Sequence, residues 1–224
     1  MSPTRESRSS VSTDAHPVSA PQWLWIGFWL CIAISVAVVI RRVIALAFPS
    51  QSGPPQMAEL NRLFASHTAL TMTHILPALA FVIVAPFIVL RRFSHLAWPE
   101  RVLFPLGAIV GLTAYAMSTY SIGGWIERSA VLFFNTLFLF SLGRAWLFKI
   151  QGQFERKRRW LLRAVGILLG IATTRPVMGV FFATSAATHL TPQRFFGFAF
   201  WIGFSINWIV VESWLHNYRP ILKD

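Results

Sequence analysis

Residues 160–187 read WLLRAVGILLGIATTRPVMGVFFATSAA, and this stretch decides the class of the protein. Its only charges are Arg163 and Arg175. About 20 apolar residues suffice to carry a helix across the hydrocarbon core of a bilayer, ~30 Å thick. Immediately upstream stands the charged run from Glu155 to Arg159. A long apolar block flanked by basic residues is how a transmembrane helix is written in sequence.

Working outward, the pattern recurs. Further apolar blocks run from Trp23 to about Ile40 and over residues 66–90, 102–121, 129–149 and 194–217. Arg91-Arg92, Pro99-Glu100-Arg101, Ile122-Gly123-Gly124 and Thr191-Pro192 separate them. The expected fold is all-α, a polytopic transmembrane helical bundle of about six spans. Composition agrees, because 55% of the 224 residues are hydrophobic and only 12% are charged. A soluble domain carries roughly 25% charged residues. The expected organisation is a disordered cytoplasmic tail at 1–20, a six-span domain at 21–219 and a cytoplasmic end at 220–224. Ala45-Leu46-Ala47 has the small-x-small form of a peptidase site. The long apolar block and the preceding Arg41-Arg42 favour an uncleaved anchor.

The net charge is +12, but the basic residues cluster between apolar blocks and no nucleic-acid-binding motif is present. The expected partner is therefore the lipid bilayer and not nucleic acid. With the N-terminus inside, one side holds Arg5, Arg8, Arg91, Arg92, Arg101, Arg144, Lys149, Arg156 to Arg159, Arg163, Arg219 and Lys223. The other side holds Arg41, Arg42, Arg62, Arg128 and Arg194. This asymmetry predicts a protein of the cytoplasmic (inner) membrane with both termini in the cytoplasm. Trp23, Trp25, Trp98, Trp146, Trp160 and Trp214 would form the inner aromatic belt, with Trp125 on the outer one. The single cysteine, Cys31, excludes an intrachain disulfide and a cysteine-based metal site.

Two glycine pairs at a spacing of four, Gly107 with Gly111 and Gly166 with Gly170, allow close backbone approach. They would serve packing within the chain or an interface with another copy or a partner subunit. Pro77, Pro86 and Pro176 fall inside spans and each removes a ladder hydrogen bond.

Polar residues inside spans carry the functional expectations. Arg175 lies near mid-membrane, where an arginine costs roughly 3 kcal/mol and faces the bundle interior or a wet cavity. It could hold an anion, or be satisfied structurally by carbonyls near Pro176 and by Asn207, Tyr115 or Asn135. His67, Thr71 and His74, at offsets of four and seven, share one face of the second span. With Arg175 they suggest an outward-facing polar pocket. His67 could also be a simple interfacial histidine. On the inner side, Glu212 is expected to pair with Arg163 or Arg144 and orient three helices. Glu127-Arg128 reads as an interfacial pair.

Haem b needs two axial ligands from facing positions, and His67 and His74 lie on one helix about 10 Å apart along its axis. Only His67 with His189, or His95 with His216, could meet. No zinc-hydrolase motif and no phosphate-cradling glycine loop occurs, so no metal site or catalytic set is assigned.

The run Lys157-Arg158-Arg159-Trp160-Leu161-Leu162-Arg163, followed twelve residues later by Arg175, resembles the bacterial membrane proteins of the domain of unknown function 2306 family. The resemblance covers about residues 65 to 217 and implies a histidine near the start of an earlier span, which corresponds to His74. This chain has Lys157 where the family usually has a histidine, and Glu100-Arg101 where the family tends to have a His-Arg pair. The family supplies no activity. The functional expectation is thus a membrane protein with a pocket around Arg175. The alternatives are a redox protein holding haem or quinone, and a small-molecule or ion transporter with Arg175 at a broken helix.

Overall fold

The computed structural model describes residues 21–48, 65–90, 96–189 and 191–217. The tail at 1–20, the end at 220–224, His95 and the Arg91-Arg92 pair lie outside the described residues. Among the described residues six long helices follow one another: α1 (Gln22–Ala47), α2 (Thr68–Val89), α3 (Trp98–Met117), α4 (Gly124–Ile150), α5 (Phe154–Thr188) and α6 (Pro192–Asn217). A short 3-10 turn at Ser118–Tyr120 extends α3. All six are long and apolar enough to span a membrane, and no strand occurs among the described residues. The chain is a polytopic helical membrane protein.

Helices alternate in direction, so two ends of the bundle are defined. The starts of α1, α3 and α5 and the finishes of α2, α4 and α6 gather at one end, called here the basic end. Gly152, at φ 70°, turns the chain from α4 into α5, and Gly124, at φ 60°, starts α4 at the opposite end. Both values lie in the left-handed region that glycine enters without steric cost.

Helix starts extend beyond the apolar blocks. Pro99-Glu100-Arg101 is not a separator but the first turn of α3, with proline in the opening positions where its missing N–H costs nothing. The run Glu155 to Arg159 is likewise helical and forms the first turns of α5. Charged residues are good helix formers, so the helix continues into the interface after the hydropathy falls. The helix carrying Arg175 is not broken. It runs continuously through Pro176 for 35 residues, so the broken-helix premise of the transporter expectation does not hold.

α5 is the axis of the bundle, packing on α1, α2, α4 and α6. The core at the basic half and middle is built from Phe81, Leu103, Phe134, Phe138, Leu142 and Leu161 with their neighbours. Phe81 meets Phe138 edge to face at 5.7 Å, and Phe134 stacks on Phe204 at 5.2 Å. In lipid this contact is driven by close packing and not by water exclusion. The four expected glycines are consumed within the chain: a Cβ on Gly107 or Gly111 would run into Leu142 or Leu139 of α4, and one on Gly166 or Gly170 into Val211 or Phe204 of α6. Gly203, which no spacing pattern marked, brings the α6 backbone directly against Thr174 of α5.

Charges at the basic end are tied across helices. Lys157 of α5 donates to Glu100 of α3 at 2.5 Å, with Lys149 of α4 at 3.7 Å from the same carboxylate. Arg158 donates to the Val89 carbonyl at 2.9 Å and Arg159 to the Leu215 carbonyl at 2.7 Å. Those carbonyls belong to the last turns of α2 and α6, which lack intrahelical donors and carry the negative end of the helix dipole. Arg163 grips Glu212 with two hydrogen bonds, at 2.5 and 3.0 Å. Arg144 does not join that pair. Its guanidinium lies over the rings of Phe148 and Trp160, at 4.9 and 5.7 Å.

Candidate functional site

A cavity of about 280 Å³ opens in the other half of the bundle and is lined by residues of all six helices. That is near the lower size of small-molecule sites, which run from roughly 300 to 1,000 Å³. Its walls are mostly aliphatic and aromatic, with Leu79, Val82, Phe138 and Ile167 among them. Polar side chains interrupt them, among them Arg42, His74, Glu127 and Arg175.

Arg175 lines this cavity from α5. Its Nε is buried and has no hydrogen-bond partner, and the side chain forms no hydrogen bond or ion pair among the described residues. Neither Asn207, Tyr115 nor Asn135 satisfies it. A buried guanidinium without a partner costs several kcal/mol unless something fills the gap. Ser35 of α1, in the same wall, likewise has a buried hydroxyl without a partner.

His74 reaches the cavity from α2. Its Nδ1 lies 2.9 Å from the Thr113 hydroxyl, which also approaches the carbonyls of Ile109 (2.7 Å) and Val110 (3.1 Å). A hydroxyl has one hydrogen. When Thr113 donates it to a carbonyl, His74 must donate from Nδ1, and its Nε2 then carries the free lone pair. His67, two turns nearer the helix start, also lines the cavity, with its ring 3.9 Å from that of Tyr120 and its Nδ1 3.0 Å from the Ser66 hydroxyl. Thr71, between them, is buried in the same wall.

Of the other expected pocket residues, Asn135 reaches the wall, but its amide donates to the Gly111 carbonyl at 2.9 Å and ties α4 to α3. Tyr115 and Asn207 are not part of the cavity. The Tyr115 hydroxyl meets that of Thr136 at 2.8 Å between α3 and α4. Asn207 accepts from Thr173 at 2.7 Å and donates to the Gly166 carbonyl at 3.2 Å, with Cys31 beside Thr173 at 3.8 Å. Asn207 thus stitches α5 and α6 on the other side of α5.

Two charged residues join the site unexpectedly. Arg42 of α1 lines the cavity two turns after Ser35, although Arg41-Arg42 reads as an outer flank. Glu127 of α4 lines it too and does not pair with Arg128. Its Oε2 accepts the Gly123 N–H at 2.5 Å, while the Arg128 guanidinium sits 5.8 Å over the Trp125 ring. The seven-residue step from Ser35 to Arg42 was a legible signal, since it places both on one helix face. Nothing local marked Glu127.

No group of three or more His, Cys, Asp or Glu side chains gathers among the described residues. Of the two cavity histidines, His74 lies on α2 and His67 caps its start, and the described residues lining the cavity place no histidine opposite them. No family model, no curated protein and no solved structure matches this chain.

Proposed function

We propose that this chain is an integral protein of the cytoplasmic membrane that receives a small amphipathic ligand in its cavity, with the ligand's anionic group on Arg175. The observation that carries this reading is the arginine itself: an intramembrane guanidinium, costly to insert, left without a partner at the wall of a largely apolar cavity. An apolar chain would lie along Leu79, Val82 and Phe138, and a carboxylate or phosphate would complete the guanidinium. Membership of the domain of unknown function 2306 family belongs to the same proposal and adds no activity to it.

The test is thermal unfolding of the detergent-purified protein with octanoate. Octanoate raises the Tm of the wild type and leaves that of Arg175→Gln unchanged. Equal shifts in both proteins would reject Arg175 as the anion-binding group.

Orientation is part of the proposal: the basic end faces the cytoplasm and the cavity opens outward, supported by the clustering of Lys149, Lys157, Arg158, Arg159 and Arg163 at one end. A cysteine placed at exposed Trp125 is then labelled by an impermeant reagent from outside intact cells, and one at exposed Gln151 only after lysis. The reverse pattern inverts the protein.

A further inference from the structure

The cavity holds opposite charges that do not neutralise each other directly. Arg175 enters from α5 and Glu127 from α4, both into the same space. No ion pair joins them among the described residues. Glu127 is held by backbone groups of the turn before α4, at Ile122 and at Gly123, whose N–H meets Oε2, and Arg175 has no hydrogen-bond partner. Arg42 adds a second guanidinium to the wall.

A purely anionic ligand on Arg175 would bring its charge near the Glu127 carboxylate, and a purely cationic one on Glu127 would face Arg175. In a site of low dielectric each arrangement costs part of what the favourable contact contributes. A molecule that carries both signs satisfies both walls. The Ser35 hydroxyl, also without a partner, provides one more polar contact from α1.

We infer that the cavity selects a zwitterionic amphiphile, whose acid group meets Arg175, whose ammonium meets Glu127, and whose apolar chain occupies the hydrophobic wall. This rests on the proposed anion-binding role of Arg175 and narrows it to a ligand class. Two sources share the chemistry: a free aliphatic amino acid and the head of an aminophospholipid. The volume of about 280 Å³ accommodates one short chain, so a phospholipid would leave chain length in the bilayer.

The experiment compares probes with matched chains on the purified full-length protein at neutral pH: 2-aminooctanoate, octanoate and octylamine, with dihexanoyl phosphatidylethanolamine as the lipid probe. In the wild type, 2-aminooctanoate binds about tenfold tighter than octanoate, the size of one charge-assisted contact. Glu127→Gln brings that ratio to about one. Phosphatidylethanolamine binding more tightly than 2-aminooctanoate keeps the zwitterion and assigns the lipid as its source. Octanoate binding the wild type as tightly as both zwitterions overturns the inference, and that comparison needs no variant to fold. Arg175→Gln separates the two levels: octanoate binding that depends on Arg175 without zwitterion preference sinks this inference alone, whereas binding indifferent to Arg175 sinks the underlying reading as well.

Discussion

Arg163 and Arg175 stand on the same helix, twelve residues apart, about 18 Å along its axis, and they meet opposite surroundings. Near the basic end Arg163 is gripped by both oxygens of Glu212, and its neighbours Lys157, Arg158 and Arg159 each reach a partner on another helix. In the cavity half Arg175 has no hydrogen-bond partner, and the nearby Glu127 carboxylate is held by backbone groups at Ile122 and Gly123 and by no cationic side chain. The first set of charges fastens helices together. The second keeps charge in a space that is otherwise apolar. A buried charge left incomplete opposes folding, so its presence there points to use outside the fold.

The contrast can be broken most directly at its satisfied pole. Glu212→Ala strands the Arg163 guanidinium. Because the pair is partly exposed, the expected loss is about 2 kcal/mol, below the 3–5 kcal/mol of a fully buried pair. Thermal unfolding in detergent measures it, and an unchanged Tm would mean that the clamp contributes nothing. Arg175→Met carries the opposite sign. Replacing an uncompensated charge by an apolar chain of similar length should raise ligand-free stability by about 1 kcal/mol. A Tm drop as deep as that of Glu212→Ala would erase the distinction between the two ends. The smallest effect belongs to Ala78→Leu, which adds apolar volume in the cavity wall. It should gain about 0.5 kcal/mol by filling space and abolish the octanoate response. A retained response would place the ligand elsewhere.

Much of this was legible in the chain. The six spans were visible as apolar blocks, and His67, Thr71 and His74 were readable as one face because helical offsets of four and seven align them, while Arg175 stood out as a lone charge deep in another span. Their ends were misjudged at α3 and α5, where helix propensity outlasts hydropathy. Pocket membership across helices was only partly readable. Asn207 and Tyr115 have the right chemistry and depth but turn to other helices, while Glu127 and Arg42, which resemble interfacial charges, turn inward.

The reason lies in the solvent. In a water-soluble bundle a polar stripe announces which face of a helix is outside. Here Phe81 and Val82 are buried, at 0% and 4% exposed, whereas their apolar neighbour Ile83 is 54% exposed. Lipid accepts the same residues as the core does, so hydropathy determines that a helix spans and how long it is. It does not determine the helix's rotation. Rotation is decided by contacts between segments distant in sequence, such as Gly203 against Thr174 and Gly107 against Leu142. The sequence alone therefore determined the helical class, the six spans and the basic asymmetry. Only the tertiary packing decided that Arg175, His74, Arg42 and Glu127 share one cavity.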